Sequence, residues 1–163
     1  MPRILGIDPG SINTGYGIVD QDGQKISHIA HGCIKLKGKT IPERLHYLHD
    51  ALSALIHEHQ PDEAAIEQVF VHVNVQSALK LGQARGAALV ALARYGLSIS
   101  EYSPKSIKQT ATGYGSASKA QIQFMMRSQL RLTSQPQADA ADALAIAICH
   151  CQHRTLSHIL KPR

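Results

Sequence analysis

Four carboxylates interrupt apolar runs of this 163-residue chain, and any fold it adopts has to give them a common destination. Asp8 ends Arg3-Ile4-Leu5-Gly6-Ile7-Asp8-Pro9-Gly10, and Glu67 ends Glu63-Ala64-Ala65-Ile66-Glu67. Asp139 and Asp142 punctuate Ala138-Asp139-Ala140-Ala141-Asp142-Ala143-Leu144-Ala145. A carboxylate buried without a partner is costly or gives up its charge, so four of them in core-like sequence require a cation or a set of donors. Taken singly, an Asp before Pro-Gly is usually a turn residue, and an Asp at a helix start is usually a cap. Glu67 and Asp142 have no such local use, and the set of four points to a shared metal site.

The order of elements indicates how the four could meet. Arg3 to Asp8 reads as a buried strand, Pro9 to Asn13 as a loop, and Thr14 to Asp20 as a second strand. Asp22-Gly23 then signals a turn into a third strand from about Lys25 to Leu36, which completes an antiparallel meander. Ile41, Leu45, Leu48, Leu52, Leu55 and Ile56 recur at helical spacing, with Pro42 in the first turn and Gln60-Pro61-Asp62 as the stop. A strand from Glu63 to Val69 and a connection through Phe70 and Asn74 lead into a long helix from about Val75 to Tyr95. Leu97 to Tyr102 is a further strand, and Ser103-Pro104 caps a short helix ending near Ala111. Ser118 to Leu130 is a helix, and a last helix runs from Ala138 or Asp139 to Ser157.

This order predicts an α/β fold, a mixed five-stranded sheet with a meander followed by parallel strands and helices on both faces. One domain is expected over residues 1–157, with a short basic tail at 158–163 that frays. A right-handed crossover sets the strand of Glu67 parallel to the strand of Asp8, so both side chains leave at the carboxyl end, where α/β sheets bind ligands. Asp139 and Asp142 share one face of the last helix and join them if that helix packs across the strand ends. Gly82 and Gly86 each weaken a helix by about 1 kcal/mol relative to Ala, which predicts close approach by the sheet or by a second subunit.

Such a cluster suits magnesium or manganese, hard ions that take carboxylate and water oxygens. Two ions about 4 Å apart can activate a water and stabilise the leaving oxygen of a phosphodiester. The formal net charge is +5, so a basic surface surrounds an acidic site, an arrangement suited to a polyanionic substrate. Lys105, Lys108, Lys119, Arg127 and Arg131 share a stretch with no Asp or Glu and fit phosphate-backbone binding; solvated helix charges are the plain alternative. No run approaches the roughly 20 apolar residues of a membrane helix. The N-terminal residues lack a signal-peptide pattern, and a cytoplasmic location is expected. Three cysteines are too few for a disulfide framework. Cys149-His150-Cys151-Gln152-His153 holds metal-ligand types, but residues two apart on a helix diverge and no second Cys pair completes the set, so a helix end is favoured over zinc.

The segments Leu5-Gly6-Ile7-Asp8-Pro9-Gly10, Thr14-Gly15-Tyr16-Gly17, Ile66-Glu67-Gln68-Val69-Phe70, Ser77 to Gly86 and Gln137 to Ala145 together resemble the RuvC family of Holliday junction resolvases, over nearly the whole chain. The resemblance implies a ribonuclease-H-like fold, a homodimer, and magnesium-dependent paired nicking of four-way DNA junctions in recombination and repair. Two ions per site, replaceable by manganese, and a RuvA–RuvB branch-migration complex as partner are implied with it. So are Asp8, Glu67, Asp139 and Asp142 as catalytic metal ligands, Lys108 and Lys119 beside the scissile phosphate, and Phe70 on a loop that contacts DNA near the crossover. Lys80, Arg85 and Lys105 are expected as further DNA contacts. The residues alone equally allow Phe70 a core position at a strand end. The C-terminal tail is short for the family. Asp8-Pro9-Gly10 with Thr14-Gly15 also resembles the first phosphate loop of actin-like ATPases and sugar kinases, which need two such domains. A related nuclease acting on RNA and a non-catalytic junction-binding module are the other readings.

Overall fold

A computed structural model describes residues 1–69 and 74–160, the backbone alone over 157–160. Its elements are β1 (Arg3–Asp8), β2 (Asn13–Asp22), β3 (Lys25–Lys35), α1 (Ile41–His59), β4 (Glu63–Glu67), α2 (Val75–Arg94), β5 (Ser98–Tyr102), α3 (Pro104–Thr112), α4 (Lys119–Gln129) and α5 (Ala138–Leu160). The sheet order is β3-β2-β1-β4-β5. β1, β2 and β3 pair antiparallel, and β4 joins β1 and β5 in parallel. The expected mixed sheet is present, although β4 stops at Glu67 rather than Val69 and α5 continues to Leu160 rather than Ser157.

Local chemistry fixes the helix starts. Thr40 accepts from the Glu43 amide while Glu43 returns a carboxylate to the Thr40 backbone, and Ser118 with Gln121 repeats this capping box at α4. Asn74 and Ser103 cap α2 and α3. α1 stops where Gln60 turns left-handed just before Pro61.

Strand parity then sorts the core into two layers. Leu5, Ile7, Ile18, Ala64 and Ile66 pack with Leu48 and Leu52 of α1 and Ala84, Ala88 and Leu92 of α2. Ile4, Val19 and Ala65 pack on the other face with α3, α4 and α5. Residues 143–151 of α5 are all buried, since the sheet lies on one side and α3 and α4 cover the rest. The Cys149-to-His153 stretch is therefore not a helix end: Cys149 and Cys151 sit inside α5 in the core, where burial pushes the Cys151 thiol up to about 12.

α5 reaches the sheet because the facing strand residues are glycines. A Cβ on Gly6 would fall on the Ala143 carbonyl, one on Gly15 on the Asp139 carbonyl, and one on Gly17 would lie 2.7 Å from the Leu144 nitrogen. The close approach expected at Gly82 and Gly86 is not made by the sheet: a Cβ at either meets nothing within 4 Å. These two glycines lie on the outer side of α2, away from the alanines that face the core.

Gly15→Ala should therefore force α5 off the sheet, costing about 2 kcal/mol or more, which is a fall in Tm of about 4 °C or more. Gly82→Ala should leave the melting temperature unchanged or raise it. Equal melting temperatures for Gly15→Ala and the wild type would disprove the close approach.

Candidate active site

β1 and β4 run parallel with Ile7 beside Ile66, so Asp8 and Glu67 leave the sheet at the same end on adjacent strands. Asp8 shares the parity of Ile4 and Gly6, and Glu67 that of Ala65, so both are directed to the face covered by α5. α5 starts over Gly15, the residue opposite Asp8 in β2, which brings Asp139 of its first turn and Asp142 of the next to the same place. All four carboxylates line one cleft of about 380 Å³, with Pro9, Gly10 and Asn13 on one wall and Lys108 and Lys119 on another.

The charges interact strongly. Asp8 is pushed up to about 8, by burial first and then by the negative charges of Asp142, Glu67 and Asp139, while Lys119 pulls it partly back. Burial, then Asp142, raises Glu67, with Lys108 opposing. Burial also raises Asp142, against Lys119 and Lys108 and with the help of Asp139. Both lysines therefore act electrically on the acidic set; at Asp142 Lys119 outweighs the repulsion of Asp139, and burial is what keeps that acid raised.

Among the described residues, no three His, Cys, Asp or Glu side chains are gathered tightly enough to hold an ion as they stand. The four acids share a cleft without converging on one point. The donor set nevertheless fits a hard divalent cation: it is all carboxylate, no thiol or imidazole lines the cleft, and Asp8, Glu67 and Asp142 stay raised despite Lys108 and Lys119.

Supporting contacts that sequence reasoning missed hold this arrangement. The buried Thr14 hydroxyl accepts from the Gly10 amide at 3.2 Å and donates to the Gly10 carbonyl at 3.3 Å, shaping the loop after Asp8. The Ala140 amide in the first turn of α5 donates to the Cys33 thiol. Farther along α5, His150 Nε2 meets Glu63 at 2.7 Å and Nδ1 meets the Tyr102 hydroxyl at 2.8 Å, while Arg154 Nε donates to Glu63 at 2.9 Å. The Tyr102 carbonyl accepts from the Gln68 amide, pinning the residue after Glu67. A signal for part of this was present: Glu63 shares parity with Glu67, and His150 and Arg154 are four apart on one helix face.

Residues 4–150 match the family model described as crossover junction endodeoxyribonuclease RuvC. The chain belongs to the RuvC family. It is 53% identical to the RuvC of Hahella chejuensis over 150 residues, 92% of this chain and 87% of that protein. It is 54% identical to the RuvC of Alkalilimnicola ehrlichii, over 92% of this chain and 91% of that one. Its structure is similar to that of T. thermophilus RuvC in complex with Holliday junction substrate, with a TM-score of 0.89 and 31% identity over 96% of this chain and 97% of the other.

The remaining positions singled out for a RuvC reading fall in different places. Lys105 lies outside the acidic cleft, its side chain against Gly115. Lys80 lines a separate groove with Arg44 and Gln83. Arg85 is engaged within the chain: it pairs with Glu101 at 2.9 Å and donates to the Glu67 carbonyl at 3.3 Å, so it braces the end of β4. Phe70 lies outside the described residues.

Asp8 holds its proton to about pH 8 in the folded chain and loses it near pH 4 when unfolded. The native state thus binds more protons across that window, and stability falls as pH rises from about 4 to about 8. In the presence of chelator, the wild-type melting temperature should fall over this range. Asp8→Asn should flatten the fall and melt higher at pH 8, and superimposable pH profiles of the two proteins would exclude Asp8 as its source.

Proposed function

We propose that this chain is a structure-selective endonuclease that resolves four-way DNA junctions by paired symmetric nicks in recombination and repair. The observation that carries this reading is the single cleft in which Asp8, Glu67, Asp139 and Asp142 stand with Lys108 and Lys119, in a chain of the RuvC family. The four carboxylates hold divalent metal, with magnesium the preferred ion, two per site, and manganese a substitute. When bound, such ions supply activation of water and stabilisation of the leaving oxygen in phosphodiester hydrolysis.

The chain's own groups do the remaining work. Gly6 and Gly15 let α5 set Asp139 and Asp142 against the strand ends, and Arg85 braces the Glu67 backbone. Lys119 and Lys108 place positive charge at the cleft wall, where negative charge develops on the phosphate. Phe70, Lys80 and Lys105 remain candidates for DNA contact outside the cleft.

Paired nicking needs two sites related by a two-fold axis. Val75, Leu79, Gly82, Gly86 and Val90 form one outward stripe on α2, and Val75, Leu79 and Val90 are 68%, 63% and 61% exposed. Such a stripe of apolar and small residues supports a homodimer packed helix to helix. Leu79→Glu should give a monomer in sedimentation at micromolar concentration and uncoupled single nicks. A dimeric Leu79→Glu protein would place the interface elsewhere.

The RuvA–RuvB branch-migration complex is the proposed further partner, and the cytoplasm the proposed location; among the described residues no helix is long and apolar enough to cross a membrane. The test of the activity is cleavage of a mobile four-way junction beside linear duplex of the same sequence, with magnesium. Symmetric nicks confined to the junction are expected, and Asp8→Asn should lose cleavage by at least about a hundredfold while retaining binding. A fully active Asn variant would refute the metal assignment. Junction binding without cleavage in magnesium and in manganese would favour a binding module, and cleavage of RNA in place of the junction would favour the RNA nuclease.

A further inference from the structure

A cavity of about 600 Å³, larger than the catalytic cleft, lies between the first half of β3 and the turn that joins α4 to α5. Lys25, Ser27, His28 and His31 line it from the strand, and Arg131 and Ser134 from the turn. No Asp or Glu is in its wall. Neither Lys25 nor Arg131 has a carboxylate within ion-pair distance among the described residues. Asp22 pairs with Lys25 in strand register but takes no part in the lining.

Arg131 occupies a position that local structure reserves for another residue. The Leu132 amide donates to the Arg127 carbonyl at 2.9 Å and the Arg131 amide to the Ser128 carbonyl at 3.3 Å, which closes α4 in a Schellman motif. The motif needs a left-handed residue after the cap, and Arg131 adopts it with φ 52°. Glycine takes that conformation freely and arginine does not. The motif itself gains nothing from a guanidinium, which leaves the cavity beside it as the place where the side chain can be used.

The histidines add a directed donor. His28 Nε2 and His31 Nδ1 are 2.8 Å apart, and burial holds both rings below the ordinary imidazole pKa. Two neutral imidazoles carry two N–H groups between them; one is used in the mutual bond, and in either tautomer arrangement the second is left to donate elsewhere. Two unpaired cations, a remaining imidazole N–H and the Ser27 and Ser134 hydroxyls in one acid-free cavity are the chemistry that recognises a phosphate.

We infer that this cavity is a second phosphate site, which grips the backbone of a junction arm away from the scissile bond. This rests on the nuclease reading above. Lys119 opens α4 and Arg131 lies just past its end, with the exposed Arg127 between them, so cleft and cavity are about 18 Å apart along the helix. That is about five nucleotide steps along one strand of duplex DNA.

The test is the affinity of wild type, Arg131→Gly and Lys25→Gln for a four-way junction across a salt series without divalent metal. Each substitution should weaken binding about threefold to tenfold near 0.1 M salt and make the log–log salt slope shallower by about 1. Arg131→Gly should melt no lower than wild type, since glycine suits the left-handed position, so its loss of affinity cannot be ascribed to unfolding. Wild-type affinity and slope in both variants would overturn the inference. Failure of the wild type itself to prefer the junction would instead overturn the functional reading. Inorganic tripolyphosphate is the second probe: if it raises the melting temperature of wild type only, while the junction slopes of all three proteins coincide, a free phosphate compound replaces the DNA strand as occupant and the inference as stated falls.

Discussion

The backbone-to-backbone approach of α5 onto β1 and β2 is the contact on which the rest of this structure depends. Gly6, Gly15 and Gly17 put no side chain of their own between strand and helix, so at these three points the helix backbone rests directly on the sheet. Two of the four carboxylates ride on that helix and the other two on the strands beneath it. Residues that contribute no functional group thereby decide whether the functional groups meet. The Glu63–His150–Arg154 cluster holds the same helix farther along, where a polar clamp can be fully hydrogen-bonded and does not disturb the acidic end.

Much of this was legible in the sequence, because the relevant signals are local. The apolar runs of Arg3–Asp8 and Glu63–Glu67 marked both strands, the handedness of the crossover between them put both acids at one strand end, and the spacing of Asp139 and Asp142 gave their shared helix face. The glycines were harder to interpret. A glycine-rich helix segment and a glycine-bearing strand carry the same local information, and only the packed structure shows that Gly15 faces a backbone while Gly82 faces open space. Cys149 to His153 misled for a related reason: polar and thiol side chains resemble a terminus, yet at the centre of a covered helix their polar atoms are taken up by Tyr102, Glu63 and Thr110. Arg85 was expected as a DNA contact, and its place in the sequence does not reveal that Glu101 and a strand carbonyl lie within reach.

The acidic cleft opposes the stability of the chain that contains it. Asp8, Glu67 and Asp142 are raised by burial before they are raised by neighbouring acids, so the cost arises from removing them from water as well as from bringing them together. Lys108 and Lys119 reduce that cost without removing it, which leaves a site that favours incoming positive charge. The buried helix and the glycine contacts that hold these groups in place are correspondingly extensive.

α2 presents its apolar stripe to the outside and, through Arg85, hydrogen-bonds the carbonyl of Glu67 on the inside. A helix of this length is stiff, so a load on its outer surface reaches β4 through the core packing on Ala64 and Ile66 and through Arg85 at the strand end. If copies of the chain assemble on α2 as proposed, assembly and the geometry at Glu67 share that helix. A partner seated on α2 and a ligand held at Glu67 would then each bias its position, and whatever free energy one of them gained from that bias would be available to the other in equal amount.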